Sequence, residues 1–391
     1  MFRKQRLTSF LFFITIPSIL TIGCTNGGKT AKLKSTINVT TSIKKVDSKK
    51  VDDFVLAEMN RLKIPGVSVA VVHGGSMIYQ NCYGSADLEH SISVTPKSPF
   101  KIASLTKPIT AIAIMQLVEN GKLLLDEKVG LYVDSLPKEW NSITIRQLLS
   151  HTSGLADYFQ SPDWSWKNSW RLDLSHDEFI KMCEKSPPIF KAGEKMKYCN
   201  TGYYLLGMVI EKISEMSYGE YLKRHIFEPL GMSNTRLDNA ESIISGRVRG
   251  YTLTEGELRN SEFTSDTWAY SEGGVITTTE DLAKLDSSLY TEALLKKISI
   301  EQLWTPTKLN NGSDGIIGDN GAGMPNHYGL GWYISNYKNH KLILAGGNKP
   351  GYSCICFRFI ENELTVIILS NLSSAPVYGI AGEIAEMYLT K

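Results

Sequence analysis

The chain has 391 residues, of which 42% are hydrophobic and 21% are charged. This is the composition of a folded globular protein, and it excludes a disordered, collagen-like or coiled-coil chain. At roughly 150 residues per domain, the length alone allows two or three domains. The formal net charge of +2 is unevenly distributed, because residues 51–391 carry 32 basic and 39 acidic side chains, a net charge of −7. A body of this sign lacks the basic face that phosphate binding requires, so we expect no nucleic-acid partner.

The first 24 residues have the pattern of an export signal. Three basic residues precede an apolar segment, residues 10–22, which is too short to be a stable membrane span. The segment ends in Gly23 and Cys24, which resemble the cleavage site of bacterial lipoproteins, although Thr21 stands where Leu is commoner. We therefore predict a lipoprotein signal peptide, residues 1–24, with lipidation at Cys24. An ordinary cleaved signal and an uncleaved anchor are the alternatives.

Residues 25–50 are rich in Lys, Thr, Ser, Asn and Gly and carry a net charge of +6. Such a segment has little to bury, so we predict a flexible tether that joins the lipid to a folded body, residues 51–391. Its lysines could also contact anionic head groups. This organisation predicts an exported lipoprotein of the cell envelope, facing the periplasm or the exterior and touching the membrane through the lipid anchor only.

The cysteines and histidines do not predict a metal site. Beyond Cys24 five cysteines remain, an odd number without a Cys-x-x-Cys pair, which is neither a disulfide framework nor a zinc site. The seven histidines include no His-Glu-x-x-His pair, so we do not expect a zinc hydrolase. We expect neither a metal nor another cofactor.

The predicted elements of the body begin with a β-hairpin. Residues 66–72 form a β-branched run that is followed by a Gly-Gly turn and a second run at 77–83. Residues 106–123 are apolar nearly all round as far as Gln116, which predicts a helix buried on most sides. The middle of the chain, roughly 125–300, favours helices, including 145–149 and 203–213, and has few strand signals.

Strand signals return near the end of the chain. They lie at residues 330–334, 341–345, 354–360 and 364–370, and a final helix is predicted at 376–389. Strands at both ends with helices between them indicate one antiparallel sheet built from both chain ends, flanked by helices and interrupted by a helical region. The predicted fold class is therefore α/β, of the α+β type.

Five Ser-x-x-Lys sequences occur, so the pattern alone says little. Only Ser104 begins a long buried helix, and Lys107 lies three residues further along the same face. A helix N-terminus and a sequestered cavity both favour loss of the ammonium proton. A neutral lysine can then take the hydroxyl proton of Ser104. A helix-capping serine followed by a solvated lysine is the alternative.

Tyr-x-Asn occurs three times. In extended backbone, residues i and i+2 point the same way, so Tyr198 and Asn200 can share one wall of a cleft while Cys199 faces elsewhere. This instance alone lies at the junction of a loop and a predicted helix. The alternative is that both side chains merely pack against that helix and cap it.

A glycine-rich stretch, residues 345–352, follows a short apolar strand. Glycines at a strand edge let a substrate approach the backbone and present its carbonyl oxygen to N–H groups. A plain turn between strands is the alternative. A phosphate loop is disfavoured because the Gly-Lys-Ser/Thr ending and the following helix are missing.

The three motifs, in this order, resemble the serine penicillin-recognising enzymes. More narrowly, the chain is similar to the branch of β-lactamase-related, penicillin-binding-protein-like hydrolases that contains class C β-lactamases, D-alanyl-D-alanine carboxypeptidases and esterases. The resemblance runs from about residue 64 to 372 and includes segments 100–129, 143–155 and 272–285. It implies a β-lactamase/transpeptidase-like fold, in which the nucleophile lies where the sheet meets an inserted all-helical subdomain.

The resemblance also implies roles for the first two motifs. Ser104 would be the nucleophile that forms an acyl-enzyme. Lys107 and Tyr198 would share the work of general base, and the sequence leaves open which of them accepts the proton. Asn200 would hydrogen-bond Lys107 and an amide of the substrate. Residues 151–154 recur in the family as a structural loop.

The third motif departs from the family. Its substrate-binding positions would be Gly346, Gly347 and Asn348, and the N–H of Asn348 would complete the oxyanion hole begun by the nucleophile's own N–H. Family members usually place Lys or His at the position of Ala345 and often a hydroxyl at Gly346. Losing both should weaken the grip on a substrate carboxylate by about 1–3 kcal/mol per lost charged hydrogen bond. Lys349 could supply a cation from nearby.

The resemblance thus implies a cofactor-free serine hydrolase that acts on an ester, amide or D-amino-acid peptide. The altered third motif favours an esterase or D-peptide hydrolase, and a true β-lactamase or D-alanyl-D-alanine carboxypeptidase is one alternative. A non-catalytic envelope protein that binds cell-wall peptides is another, although the four intact residues of the first two motifs argue against it. We expect a monomer with a small acyl or peptide substrate, including one derived from peptidoglycan.

Overall fold

The computed structural model describes residues 43–165, 168–265, 267–319 and 326–390. The predicted signal peptide, Cys24 and residues 25–42 of the predicted tether lie outside these residues. All of the described residues belong to one compact unit. In the described part, no helix combines the length and the apolarity that crossing a bilayer would require.

The described residues form thirteen strands and ten helices. The strands are β1 (Gly66–His73), β2 (Ser76–Asp87), β3 (Ile92–Ser93), β4 (Phe100–Lys101), β5 (Arg236–Leu237), β6 (Tyr251–Thr254), β7 (Glu257–Asn260), β8 (Val275–Thr277), β9 (His327–Tyr328), β10 (Tyr333–Tyr337), β11 (His340–Lys349), β12 (Tyr352–Phe359) and β13 (Leu364–Ser370). The helices are α1 (Ser48–Leu62), α2 (Thr106–Glu119), α3 (Ile145–Leu149), α4 (His176–Cys183), α5 (Asn200–Ser214), α6 (Tyr218–Leu222), α7 (Tyr270–Gly273), α8 (Thr279–Ser288), α9 (Lys297–Leu303) and α10 (Val377–Tyr388).

Both ends of the body build one large antiparallel sheet, as the strand pattern predicted. The strand order is β3-β2-β1-β13-β12-β11-β10-β9. The predicted hairpin is β1–β2, and β1 also pairs with β13 from Val67 opposite Ser370 to His73 opposite Leu364. A strand near residue 70 and a strand near residue 367 are thus neighbours at the centre of the sheet.

Alternate residues of the strands enter two different cores. In β13, Val366 and Ile368 pack with residues of α1 and α10, whereas Ile367 and Leu369 pack with those of α2, α5 and α8. Each strand therefore needs apolar residues at successive positions, which is why β13 reads as a continuous apolar run. The molecule has three layers: two terminal helices, the sheet and a helical region.

The helical region is the predicted insertion. Between β4 and β5 the described residues form helices and loops without a strand. Its central helix, α2, is buried at every position from 106 to 115, as its apolar composition predicted, and ends at Glu119 rather than at 123. Two small sheets, β4-β8-β5 and β6-β7, follow the insertion or flank it. Their strands have two to four residues, too few to show a periodicity in the sequence.

The predicted boundary between tether and body, at residue 50, lies within a helix. Helix α1 begins at Ser48, and Asp47 caps it by accepting a hydrogen bond from the backbone N–H of Lys49 at 3.1 Å. Ile43 and Val46 pack against the core beneath α10. The sequence concealed this because lysines surround the few apolar residues that anchor the segment.

The predicted strand at 330–334 is displaced by three residues, since β10 begins at Tyr333. Gly331 has a φ of +89°, a left-handed conformation that ends strand pairing. A Cβ atom at Gly331 would lie 2.7 Å from the Cβ of Ala111 and 3.2 Å from the carbonyl oxygen of Lys107. The loop before β10 therefore packs closely on α2.

Candidate active site

Ser104 lies in a 3-10 turn, Ala103–Leu105, that leads directly into α2. Ala103 has a φ of +44°, a strained conformation for a residue with a side chain, and such strain is common at functional sites. Ser104 is half-buried and lines a cavity of about 440 Å³. Its Oγ lies 2.9 Å from the Nζ of Lys107. The structure thus brings the two groups together as the helical spacing predicted.

Lys107 is buried beneath the cavity, with 1% of its surface exposed. Besides Ser104, its Nζ contacts the Oδ1 of Asn200 at 2.8 Å and two oxygens of Glu272. The alternative of a solvated lysine is therefore excluded by the geometry. Lys107 is held in one position by partners from three separate segments of the chain.

Tyr198 and Asn200 face the cavity together, and Cys199 faces away from it. Cys199 has extended dihedral angles, φ −148° and ψ 113°, and its buried Sγ points to the carbonyl oxygen of Ala156. This is the alternation predicted for Tyr-x-Asn in extended backbone. Asn200 begins α5, and its N–H donates to the Oδ2 of Asp157 at 2.7 Å.

The phenol of Tyr198 lies against both Ser104 and Lys107. Its ring centroid is 4.9 Å from the Nζ of Lys107. Burial raises the pKa of Tyr198 well above its usual value, and the negative charge of Glu272 adds to this, while a hydrogen bond with Ser104 lowers it. Because a raised pKa makes the phenolate rarer at neutral pH, this environment does not favour Tyr198 as a base acting alone.

Glu272 is a site residue that the sequence reasoning missed. It lies in α7 with 5% of its surface exposed, and its Oε2 forms a 2.8 Å ion pair with the Nζ of Lys107. Its backbone oxygen contacts the same Nζ at 2.9 Å, and its Oε1 accepts a hydrogen bond from the hydroxyl of Tyr158 at 2.9 Å. Glu272 is 165 residues from Lys107 in sequence, and no local spacing pointed to it.

The glycine-rich stretch is the end of strand β11, not a loop after it. β10 pairs with β11 only as far as Leu344, so the following residues form a free strand edge. Gly346, Gly347 and Asn348 line the same cavity as Ser104. A Cβ atom at Gly347 would lie 2.0 Å from the carbonyl oxygen of Ile102 and 2.9 Å from the backbone N of Ser104. Only glycine allows this approach.

Ala345, at the position where family members usually carry a cation, is uncharged, and Lys349 lies nearby. Ala345 is buried with 4% exposure and belongs to the core. Lys349, two strand repeats further along β11, lines the cavity, and its Nζ lies 5.8 Å from the ring centroid of Trp268. A cation is thus present in the cavity wall, at a different place along the strand.

His151, in the predicted structural loop, supports the site without facing Ser104. It is 1% exposed, and its Nδ1 accepts a hydrogen bond from the backbone N–H of Cys199 at 3.1 Å. Burial, and next the charge of Lys107, hold the pKa of His151 well below its usual value. The ring is therefore neutral and fixes the backbone of the Tyr-x-Asn segment.

Two other features of the described residues do not coincide with this site. Asp87, Glu89 and His90 lie close enough to share a metal ion, but none of them lines the cavity of Ser104, and Glu89 is paired with Arg249. A larger cleft of about 1190 Å³ is lined by His176, Glu211 and Tyr270, among others, and by no residue of the three motifs.

Known proteins are similar to this chain in sequence. The sequence model of the Beta-lactamase family matches residues 51–387. Penicillin-binding protein 4* of Bacillus subtilis (strain 168) is 32% identical over 320 residues, which cover 78% of this chain and 67% of the relative. Protein flp of Staphylococcus aureus (strain MW2) is 26% identical over 83% of this chain and 63% of its own length. The chain therefore spans less than two thirds of the second relative.

Solved structures share the fold. A penicillin binding protein from Bacillus halodurans superposes with a TM-score of 0.74 at 26% identity, over 88% of this chain and 100% of that one. The D-amino acid amidase from Ochrobactrum anthropi SV3 gives 0.74 at 23% identity, over 87% and 98%, a likeness of fold alone. Together with the family match, these likenesses show that the chain belongs to the Beta-lactamase family of serine hydrolases and has the β-lactamase/transpeptidase-like fold.

Proposed function

We propose that this protein hydrolyses an ester, an amide or a D-amino-acid peptide through an acyl-enzyme on Ser104. The observation that carries the proposal is the grouping of four side chains at one cavity. Ser104 contacts Lys107 at 2.9 Å, Lys107 contacts Asn200 at 2.8 Å, and the ring centroid of Tyr198 lies 4.9 Å from the Nζ of Lys107. A hydroxyl held by a potential base, which is itself held by a third group, is the arrangement of an activated nucleophile.

The proposed chemistry has two stages, acylation of Ser104 and hydrolysis of the acyl-enzyme. The Oγ of Ser104 bonds to the substrate's carbonyl carbon while its proton passes to one of the two candidate bases beside it, Lys107 or Tyr198. The backbone N–H groups of Ser104 and Asn348 stabilise the negative carbonyl oxygen. The bond to the leaving group breaks as that group takes up a proton, and the acyl group stays on Oγ. Water then attacks the acyl carbon, and Ser104 recovers its proton.

The cavity wall favours an esterase or D-peptide hydrolase over an efficient β-lactamase. Ala345 and Gly346 offer neither the cation nor the hydroxyl that hold a carboxylate at these positions in the family. Lys349 supplies a positive charge elsewhere in the wall. We propose that Lys349 binds the carboxylate of a peptide substrate, including a fragment of peptidoglycan, at a different place in the wall from the family's cation. A true β-lactamase or D-alanyl-D-alanine carboxypeptidase is the alternative within the same chemistry.

The test is a hydrolysis screen with the purified full chain. We expect turnover of p-nitrophenyl esters or of peptides ending in D-alanine, and slow turnover of nitrocefin. Ser104→Ala should abolish the activity. Ser335→Ala is the matched control, because Ser335 also begins a Ser-x-x-Lys sequence but lies in β10, where its buried hydroxyl has no hydrogen-bond partner. Activity that persists in Ser104→Ala contradicts the proposal.

The altered third motif also motivates a second candidate, a non-catalytic envelope protein that binds cell-wall peptides. The two candidates differ in covalent chemistry. A hydrolase is labelled at Ser104 by a fluorophosphonate or a fluorescent penicillin, whereas a binding protein retains the peptide without any adduct.

We also propose that the protein works in the cell envelope, tethered through a lipid on Cys24. The support is the basic and apolar start of the chain followed by Gly23 and Cys24. Cys24→Ala should prevent incorporation of radiolabelled palmitate and release the protein from the membrane fraction. Unchanged palmitate incorporation in this variant contradicts the assignment of Cys24.

A further inference from the structure

The surroundings of Lys107 determine what it can do as a base. Three of its four neighbours can only accept hydrogen bonds: the Oδ1 of Asn200 and the backbone oxygen and Oε2 of Glu272, at 2.8 to 2.9 Å. An ammonium has three N–H donors and no lone pair, so it can only donate to these oxygens and to the Oγ of Ser104. The fourth neighbour, the hydroxyl of Ser104, then finds no acceptor on Nζ. In its charged form, Lys107 is well placed but unable to take the proton of Ser104.

Glu272, the ion-pair partner of Lys107, can accept a proton from it and so make Lys107 a base. The side chains of Lys107 and Glu272 are only 1% and 7% exposed, so their ion pair lies in a medium of low polarity. Such a medium penalises separated charges, and a buried pair can exchange them for a neutral amine and a neutral acid by moving one proton. The net charge of the pair does not change. Release of the proton to solvent, by contrast, would leave a net negative charge buried.

Among the described residues, Glu272 is the one carboxylate that hydrogen-bonds the Nζ of Lys107. Other ionisable side chains surround the pair: His151, Asp157, Tyr158, Tyr198, Tyr203 and Tyr333. Lys349 lies across the cavity from it. Burial raises the pKa of Asp157, of Tyr158 and of Tyr198, and it lowers that of His151. The hydroxyl of Tyr158 donates to the Oε1 of Glu272 at 2.9 Å, which leaves Oε2 directed at Lys107.

We infer that Lys107 and Glu272 share one proton and act together as the base that activates Ser104. The inference rests on the proposed acyl-enzyme function. A proton moves from the Nζ of Lys107 to the Oε2 of Glu272, and the freed lone pair of Nζ takes the proton of Ser104 as Oγ bonds to the carbonyl carbon. When the leaving group departs, Nζ returns a proton to it. The pair ends with the one proton with which it began. Glu272 acts through Lys107, as a positioning and proton-holding residue.

The test is the pH dependence of Ser104 labelling by a fluorophosphonate, followed by intact mass from pH 5 to pH 10. In the wild type, the one-proton pair is active across the neutral range, so labelling should change little there. Glu272→Gln keeps the size and one acceptor oxygen but cannot hold the proton, so Lys107 must release it to solvent. Labelling should then rise about tenfold per pH unit and approach the wild-type rate only at alkaline pH. The acid limb of the profile is the pH range in which labelling falls as the solution becomes more acidic. In Glu272→Gln this limb should move to higher pH by about one pH unit or more.

The opposite shift overturns the inference. If Tyr198 is the base and Lys107 stays charged, removing the carboxylate of Glu272 lowers the pKa of Tyr198, so the acid limb moves to lower pH. An unchanged limb also overturns it. Glu272→Asp retains a carboxylate, so its acid limb should lie at the same pH as in the wild type, although labelling is slower. An acid limb that moves to a different pH in this variant counts against the inference. A wild type that is not labelled at any pH refutes the proposed function itself.

Discussion

Two charged residues of the site, Glu272 and Lys349, do not occupy positions that the three sequence motifs assign to charged groups. Glu272 supplies a buried carboxylate to Lys107, and Lys349 supplies a cation to the cavity wall where Ala345 cannot. In the proposed mechanism, Glu272 acts on the base and Lys349 on the substrate. Their effects should therefore separate in kinetic measurements, with the first seen in the pH profile and the second in substrate preference.

Lys349→Met should reduce the recognition of acidic substrates. Methionine keeps an apolar stem beside Trp268 but removes the charge. A charged hydrogen bond contributes about 1.5–3 kcal/mol, so kcat/KM should fall about 10- to 100-fold for a D-peptide with a free carboxylate. Hydrolysis of a neutral p-nitrophenyl ester is the internal control and should change less than about threefold. An equal loss for both substrates contradicts a role in carboxylate binding.

The residues that the sequence could predict are those whose partners lie within one turn or one strand repeat. Lys107 was placed beside Ser104 by helical spacing, and Asn200 beside Tyr198 by the alternation of extended backbone. Glu272 could not be found this way. Its contact with Lys107 joins segments 165 residues apart, and one glutamate among 40 acidic residues carries no local signal.

At the scale of the elements, the cavity depends on the close approach of the free edge of β11 to the turn that carries Ser104. Gly347→Ala should force the two apart, because its Cβ would lie 2.0 Å from the carbonyl oxygen of Ile102. We expect fluorophosphonate labelling of Ser104 to slow about 100-fold or more, by analogy with the loss of one oxyanion-hole donor. Gly379→Ala, in α10 with open space around the new Cβ, is the control and should label normally.

Helix α1 is joined to the sheet by an acid-sensitive cluster. The carboxylate of Asp52 accepts hydrogen bonds from the hydroxyls of Tyr79 and Tyr83 and from the side chain of Asn81, at 2.5 to 2.9 Å. The bonds from Tyr79 and then Tyr83 lower the pKa of Asp52. A carboxyl with a lowered folded pKa stabilises the protein above its unfolded pKa of about 3.9, and the contribution is lost as the pH falls through the folded value.

Asp52→Asn should therefore be destabilising at neutral pH and much less so in acid. Chemical denaturation at pH 7 should show a lower free energy of unfolding for the variant, by about 1 kcal/mol or more. The difference from the wild type should shrink as the pH falls from 5 towards 3. A difference that stays constant over this range contradicts the account of the cluster.

The boundaries of the elements were predicted least well next to glycines and in strands of only a few residues. The core strands and α10 are close to their predicted places because they are long and mainly apolar. β10 begins three residues late, because Gly331 turns the chain against α2. The glycine-rich stretch is part of β11, since pairing with β12 continues through Lys349 opposite Tyr352.

For the whole molecule, the three layers place the site where the sheet meets the helical insertion. α2 carries Lys107 from the insertion, β11 carries Asn348 from the sheet, and α7 brings Glu272 between them. Both ends of the body contribute to the sheet through the pairing of β1 with β13. The site therefore depends on the complete body rather than on either half.

Truncation tests where this body begins. A chain that starts at residue 51 lacks the Asp47 cap, the first turn of α1 and the packing of Ile43 and Val46. We expect its free energy of unfolding to fall by about 1–3 kcal/mol and its Tm to fall with it, from the lost cap and buried apolar area. A chain that starts at residue 43 keeps these contacts and is the control. Equal stability of the two chains contradicts the corrected boundary.

The most direct test of the central claim is the mass of the protein after treatment with a fluorophosphonate or a slow acyl donor. The account predicts a single adduct on the full chain, mapped by peptide sequencing to Ser104. The adduct should be absent in Ser104→Ala and retained in Ser335→Ala. An adduct that persists in Ser104→Ala, or a wild type that forms none with any acyl donor, would contradict the assignment of Ser104 as the nucleophile.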